Sequence, residues 1–237
     1  MQRSPAKPGG ISRPPRPRRS KGIVEEKIQE ILACRKKTCI DEPGLTRAAV
    51  LIPLFVKDGS YHVLLTRRTH AVGSHKGQIS FPGGRQEPGE EPLGAALREA
   101  EEEMGIRKKD VRILGELDDM CTLSSDFCIA PFVGLIPYPY PFKINDREIE
   151  EVIEMPLAAL LDETRFREEV RERNGRPLHV CFYEHGKHVV WGATARILKQ
   201  LMDLISAEEG KERTPPSRSV PEGGEFSSPP GQECGKR

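Results

Sequence analysis

The stretch Gly84-Arg85-Gln86-Glu87-Pro88-Gly89-Glu90-Glu91-Pro92-Leu93-Gly94-Ala95-Ala96-Leu97-Arg98-Glu99-Ala100-Glu101-Glu102-Glu103-Met104-Gly105-Ile106 reads as loop, helix and stop. Pro92 suits a first helical turn, and Gly105 suits a left-handed cap. Leu93, Ala96, Leu97, Ala100 and Met104 share one face at helical spacing, so that face packs inward. Glu99, Glu102 and Glu103 stand at i, i+3 and i+4 on a neighbouring face, with Arg98 beside them. Two readings of this acidic face are open. As a solvated face it is cheap, at about 0.2–0.5 kcal/mol per like-charged pair. Lining a cleft, two such charges about 6 Å apart at an effective dielectric near 20 repel by roughly 3 kcal/mol. A divalent cation would relieve that repulsion, and hard carboxylate oxygens suit Mg²⁺ or Mn²⁺. Gly83-Gly84, just upstream, lets a backbone come close to a ligand or metal.

Outward from this segment, the rest of the chain alternates strands with a few helices. Val24, Ile28, Ile31 and Leu32 recur at helical spacing up to about Lys37. Residues 48–56 form an apolar β run, Asp58-Gly59 signals a hairpin, and residues 61–67 return. Further strands are expected at 111–117, 127–136, 151–155, 178–183 and 188–190, and a closing amphipathic helix at 193–205. This pattern predicts a single α+β or α/β domain. The charge total, 37 Lys+Arg against 36 Asp+Glu, hides an asymmetry. Residues 1–22 hold seven bases and no acid, so the remainder carries 30 bases against 36 acids. Both ends are also rich in Gly and Pro, which predicts disordered tails at 1–22 and 206–237 around a folded unit at 23–205.

Several classes are excluded or disfavoured. No window approaches 18 consecutive apolar residues, so no helical membrane span is expected. Cys34, Cys39, Cys121, Cys128, Cys181 and Cys234 show no CxxC spacing, and no apolar leader opens the chain. Reduced thiols in a cytoplasmic setting are the expectation. The basic stretch at the start has no interleaved aromatics, so no nucleic-acid partner is expected.

The sequence Gly84, five residues, Glu90, seven residues, then Arg98-Glu99-Ala100-Glu101-Glu102-Glu103-Met104-Gly105-Ile106 resembles the signature of the Nudix hydrolases at every fixed position. Ala100 fills a slot that is usually bulkier. The resemblance implies an α/β/α sandwich with a mixed sheet, and Mg²⁺- or Mn²⁺-dependent hydrolysis of a nucleoside diphosphate linked to another moiety. It also implies that Glu99, Glu102 and Glu103 hold the metal, with the Gly84 carbonyl completing its shell. Arg98 would orient those glutamates, and Glu90 would support Arg98. The general base would be Glu99 or Glu102, or a glutamate on a later loop, here Glu148 or Glu151. A solvated loop face is the competing account of Glu148 and Glu151.

Upstream, Leu64-Leu65-Thr66-Arg67-Arg68-Thr69-His70-Ala71-Val72-Gly73-Ser74-His75-Lys76-Gly77-Gln78-Ile79-Ser80-Phe81-Pro82-Gly83-Gly84 is similar to the extra motif of the coenzyme A pyrophosphatases within that family. Arg68, Gly77 and Phe81 to Gly84 fall in register. Thr69 stands where Ser is usual, and Gly73 where Arg is frequent. Residues 191–198 also resemble the terminal helix of bacterial members. Coenzyme A carries a diphosphate and a 3′-phosphate, so cations beyond the metal are needed, and Arg67, Arg68, His75 and Lys76 cluster just before the loop. The expected substrate-binding set is therefore Arg67, Arg68, Thr69, His75, Lys76, Gly77, Phe81 and Gly83. The expected products are 3′,5′-ADP and 4′-phosphopantetheine or its acyl derivative. The competing expectations are another nucleotide substrate (ADP-ribose, a nucleotide sugar or an oxidised nucleoside triphosphate) and a non-catalytic nucleotide-binding module. A homodimer is compatible with all of these.

Overall fold

The computed structural model describes residues 21–69, 77–122, 126–173 and 175–213. Its centre is β1 (Thr46–Lys57), which hairpins into β2 (Ser60–Arg68) with Leu54 opposite Val63. On its other side β1 runs parallel to β7 (Phe127–Leu135), in register from Thr46↔Phe127 to Leu54↔Leu135. The strands β3 (Ile79–Ser80), β4 (Gly83–Arg85), β5 (Arg112–Glu116), β6 (Met120–Cys121) and β8 (Ile149–Pro156) complete a mixed sheet. A second, antiparallel sheet has β10 (Arg176–His185) between β9 (Phe166–Arg173) and β11 (His188–Trp191).

Helices cover both faces of the main sheet, and side-chain alternation decides which residue meets which. Along β1, Ala49, Leu51 and Phe55 face one way and pack on Ala95, Ala96, Leu97, Ala100 and Met104 of α2 (Pro92–Met104). Ile52 and Leu54 face the other way, towards Ile28 and Leu32 of α1 (Lys21–Cys34) and Ile197, Leu198 and Leu201 of α4 (Gly192–Arg213). A strand buried on both faces reads as a continuous apolar run, which is what residues 48–56 show. Cys181, Tyr183 and Val190 of the second sheet join the α4 side of the core. This is the expected α/β/α arrangement around a mixed sheet.

The differences from expectation have local causes. Strand β9 carries the sequence FREEVRER and lies at a sheet edge, where charged side chains remain in water and hide the apolar pattern. Strands β3, β4 and β6 and the short helix α3 (Leu157–Leu160) span only two to four residues, too few to show a period. Helix α1 starts at Lys21 and ends at Cys34, short of the expected Lys37. Helix α4 runs to Arg213, so eight residues assigned to the C-terminal tail are helical. Residues 1–20 and 214–237 lie outside the described residues.

Candidate active site

Helix α2 opens at Pro92 and closes at Gly105, whose φ of 69° is the left-handed cap expected. The Gly105 and Ile106 amides donate to the Glu101 and Ala100 carbonyls. Packing of its apolar face on β1 turns Arg98, Glu99, Glu102 and Glu103 towards the short strand β4 and the end of β2. The loop after β7 then docks on the end of α2, where Lys143 N–H donates to Met104 O and Asn145 N–H to Glu103 O. That docking carries Glu148 to the same place.

Arg98 is a hub. Its Nε and Nη2 meet the two oxygens of Glu90 at 3.0 and 3.1 Å, a bidentate pair. Its Nη1 donates to Glu99 Oε1 at 2.9 Å and to Glu102 Oε2 at 3.4 Å. Its Nη2 also donates to the Arg85 carbonyl at 3.0 Å. The Arg98 guanidinium, followed by the Glu87 backbone amide, holds the Glu90 carboxyl below the usual range. Arg98 thus orients two of the three glutamates while Glu90 anchors Arg98.

Glu103 has a different partner. It is 3% exposed, the only acidic side chain of the α2 cluster so deeply buried. Arg68 Nη1 donates to its Oε1 at 3.0 Å, and the Gly83 amide donates to its Oε2 at 3.2 Å. Burial nevertheless pushes its carboxyl up to about 7, against the pull of Arg68 and Gly83, with Glu99 and Glu148 adding to the rise. Burial also raises Glu99, opposed by Arg98. Arg68 reaches Glu148 Oε2 at 3.3 Å with its second nitrogen. It therefore joins the helix glutamate to the later-loop glutamate.

Several candidate residues fall elsewhere. Along β2, Arg68 faces α2 while Arg67 faces the second sheet, so the two cations do not form one phosphate-binding pair. Arg67 meets Glu151 Oε2 at 3.0 Å, and Glu151 also pairs with Lys187 at 2.9 Å and His188 at 3.2 Å. Glu151, the second base candidate, is thus on the far side of the sheet from the glutamate helix. Glu148 precedes β8 and is held separately, its carbonyl accepting from the Thr69 amide and its own amide donating to Asn145 O. Phe81 is 3% exposed and packs in the core with Ile79, so its ring is closed off from solvent. Thr69 binds the Glu148 loop, its Oγ1 donating to Arg147 O at 2.9 Å and its amide to Glu148 O at 2.8 Å. The Gly77 amide donates to the Arg68 carbonyl at 3.1 Å. Gly73, His75 and Lys76 lie outside the described residues.

Among the described residues, no three His, Cys, Asp or Glu side chains converge as a formed coordination sphere. The reason is visible in the ion pairs: Glu99 and Glu102 turn to Arg98, and Glu103 turns to Arg68. The residues still fit a hard divalent cation. A carboxylate that burial makes costly to ionise gains most from a cation, and its neighbours supply only oxygen donors. At Gly84 a β-carbon would lie 2.6 Å from Glu99 Oε2, so the backbone there lies close against the Glu99 carboxylate and leaves no room for a side chain.

Comparison with known proteins gives the family. The NUDIX domain model matches residues 45–178. The uncharacterized Nudix hydrolase NudL of Photorhabdus laumondii is 38% identical over 159 residues, covering 67% of this chain and 84% of that protein. NudL of Yersinia pestis is 38% identical over 163 residues, covering 68% and 80%. Among solved structures, a MutT/nudix family protein from Enterococcus faecalis aligns with a TM-score of 0.45 at 15% identity, covering 79% of this chain and 75% of that one. The chain belongs to the Nudix family. It is a hydrolase of pyrophosphate bonds in nucleoside diphosphate derivatives, a class of enzymes that uses divalent ions such as Mg²⁺ or Mn²⁺. Among the described residues, no helix is long and apolar enough to cross a membrane.

Proposed function

We propose that this enzyme hydrolyses the diphosphate of coenzyme A or its acyl derivatives, releasing 3′,5′-ADP and 4′-phosphopantetheine or its acyl form. The observation that carries this reading is that the extra motif and the signature helix form one connected unit. Strand β2 is joined to residues 78–80 by Thr66–Ser80 and Arg68–Gln78 hydrogen bonds, Arg68 ends in an ion pair with Glu103, and the Gly83 amide of β4 donates to the same carboxylate. A sequence feature of that subfamily is therefore built into the glutamate cluster itself.

Glu99, Glu102 and Glu103, with the Gly84 carbonyl, would hold Mg²⁺ or Mn²⁺. When bound, the ion supplies shielding of the diphosphate and acidification of the attacking water. The protein's part is positional. Arg98, fixed by Glu90, sets the rotamers of Glu99 and Glu102, and Arg68 sets that of Glu103. Glu148 is the later-loop carboxylate that stands at the cluster, and it is assigned the role of proton acceptor. Its Oε1 is steadied by Asn145 Nδ2 at 3.2 Å while Arg68 holds the other oxygen. His75 and Lys76, outside the described residues, are kept as candidates for the remaining substrate phosphates. The cysteine spacing supports a cytoplasmic location.

The test is a substrate panel of coenzyme A, acetyl-coenzyme A, ADP-ribose, a nucleotide sugar and an oxidised nucleoside triphosphate, with Mg²⁺ or Mn²⁺ and product identification by mass. Preference for the coenzyme A compounds, with 3′,5′-ADP as common product, is expected. Equal or faster turnover of ADP-ribose would overturn the substrate assignment.

A further inference from the structure

Away from the glutamate cluster, strands β6 and β7 place two cysteines opposite each other, Cys121↔Cys128. The Thr122 amide donates to the Phe127 carbonyl at 2.8 Å, and the Phe127 amide donates to Thr122 Oγ1 at 3.0 Å. Residues 122 and 127 therefore occupy the hydrogen-bonded position of the ladder. The next pair, Cys121 and Cys128, takes the non-hydrogen-bonded position, where facing α-carbons approach to about 4.5 Å. Disulfides span α-carbon separations of roughly 4.4–6.8 Å, so this is a place where two sulfurs can bond without backbone movement. We infer that Cys121 and Cys128 are a redox modification site, converted to an internal disulfide by a low-molecular-weight disulfide.

The two thiols differ in a way that orders the reaction. Cys121 is partly exposed, whereas Cys128 is buried under the segment ending at Ile40. Burial pushes the Cys128 thiol up to about 11, with Cys121 and Asp119 raising it and Arg47 opposing them. Cys121 is therefore the group that meets the reagent. Its thiolate attacks one sulfur of R–S–S–R, forming Cys121–S–S–R and expelling RS⁻. Cys128 then loses its proton and attacks the Cys121 sulfur, expelling the second RS⁻. Arg47 Nη1, 3.3 Å from Cys128 Sγ, favours the thiolate formed in that step. The two protons go to the two departing thiolates, so two cysteine thiols and one disulfide become one internal disulfide and two RSH. Two cysteine electrons reduce the reagent, and no other oxidant is needed.

The experiment treats the folded full-length protein with oxidised glutathione, traps remaining thiols with iodoacetamide, and maps the peptides by mass spectrometry. The expected product is a Cys121–Cys128 linked pair, with two molecules of reduced glutathione released for each linked pair beyond those displaced by adducts at the exposed Cys34 and Cys39, and full reversal by dithiothreitol. Cys128→Ala should instead stop at a glutathione adduct on Cys121. If that variant fails to fold, Cys121→Ser, which alters the more exposed partner, should yield neither adduct nor link at Cys128. Recovery of both residues alkylated would overturn the inference. So would a lasting glutathione adduct on Cys121 of the wild type, or a link from either residue to Cys34, Cys39 or Cys181.

Discussion

Replacing Glu103 by Gln should stabilise the metal-free protein while removing its metal-dependent activity. Glu103 is 3% exposed, and burial raises its carboxyl from the ordinary 4.5 to about 7. A carboxyl with a higher pKa in the folded state binds more protons there than in the unfolded chain. Its stability contribution is thus undisturbed below about 4.5, declines as pH rises towards about 7, and levels off beyond. A displacement of that size corresponds to about 3 kcal/mol at most, and relaxation around the ion makes roughly 1–3 kcal/mol the working range. Glutamine keeps an oxygen for the Gly83 amide and removes the charge, and Arg68 retains Glu148 as partner. The variant should therefore be more stable than wild type by roughly 1–3 kcal/mol near pH 8, and nearly equal to it near pH 5.

Urea unfolding of both proteins in a chelator, across that pH range, measures this difference directly. Subtracting the two curves cancels every group they share. A difference that does not change with pH, or a variant less stable than wild type near pH 8, would refute the account of a burdened Glu103. With Mg²⁺ or Mn²⁺ restored, Glu103→Gln should show no metal-dependent hydrolysis, and an unchanged rate would refute the site assignment. Together the outcomes separate a functional glutamate from a merely structural one, because a structural ion pair with Arg68 would lose stability on neutralisation.

Three further outcomes are expected. Gly84→Ala should reduce kcat/KM by roughly tenfold or more with little change in Tm, because the new methyl meets only the end of the Glu99 side chain; normal activity would contradict it. Arg98→Lys should lower activity and raise the Mg²⁺ concentration needed for half-maximal rate, since one ammonium cannot reproduce the fork to Glu90 together with the bond to Glu99; steady-state kinetics over a metal titration checks this. Glu148→Gln should lower kcat by about 100-fold or more, whereas Glu151→Gln should leave kcat near wild type and lower Tm, because Glu151 serves Arg67, Lys187 and His188 on the far face; the reverse pattern would exchange their roles.

The signature helix was readable because its information is local. Helical spacing places Glu99, Glu102 and Glu103 together, Pro92 and Gly105 set its ends, and both ends fall at those residues in the structure. The buried strands β1 and β7 were equally plain as long apolar runs. The site's remaining members depend on contacts distant in sequence. Nothing in the neighbourhood of Arg67 and Arg68 tells which side of the sheet each faces. That follows from the pairing of β2 with β1 and from which face α2 covers. Arg68, expected as a substrate cation, links two carboxylates in the structure. A usable signal was present: strand alternation alone requires adjacent residues to point oppositely, so Arg67 and Arg68 could not both serve one phosphate.

Glu148 and not Glu151 reaches the site because Glu151 is fixed within β8 opposite Arg67 while Glu148 precedes the strand. Strand β8 pairs regularly with β2 from Pro156 back to Glu151, then shifts register so that Ile149 lies opposite Arg68. Thr69 and the docked segment ending at Asn145 hold Glu148 beyond that shift. Its arrival gives a cluster of five carboxylates, Glu90, Glu99, Glu102, Glu103 and Glu148, against two guanidiniums, Arg68 and Arg98. Fully ionised, that cluster is three charges short of neutral. A diphosphate brought against it would meet net repulsion, and the arginines cannot be spared to receive it because they already hold the glutamates. A divalent cation removes most of the deficit and can bind substrate oxygens at the same time, which neither arginine is free to do. Burial raises the Glu103 carboxyl to about 7, and its protonation is the protein's own partial answer when no cation is present.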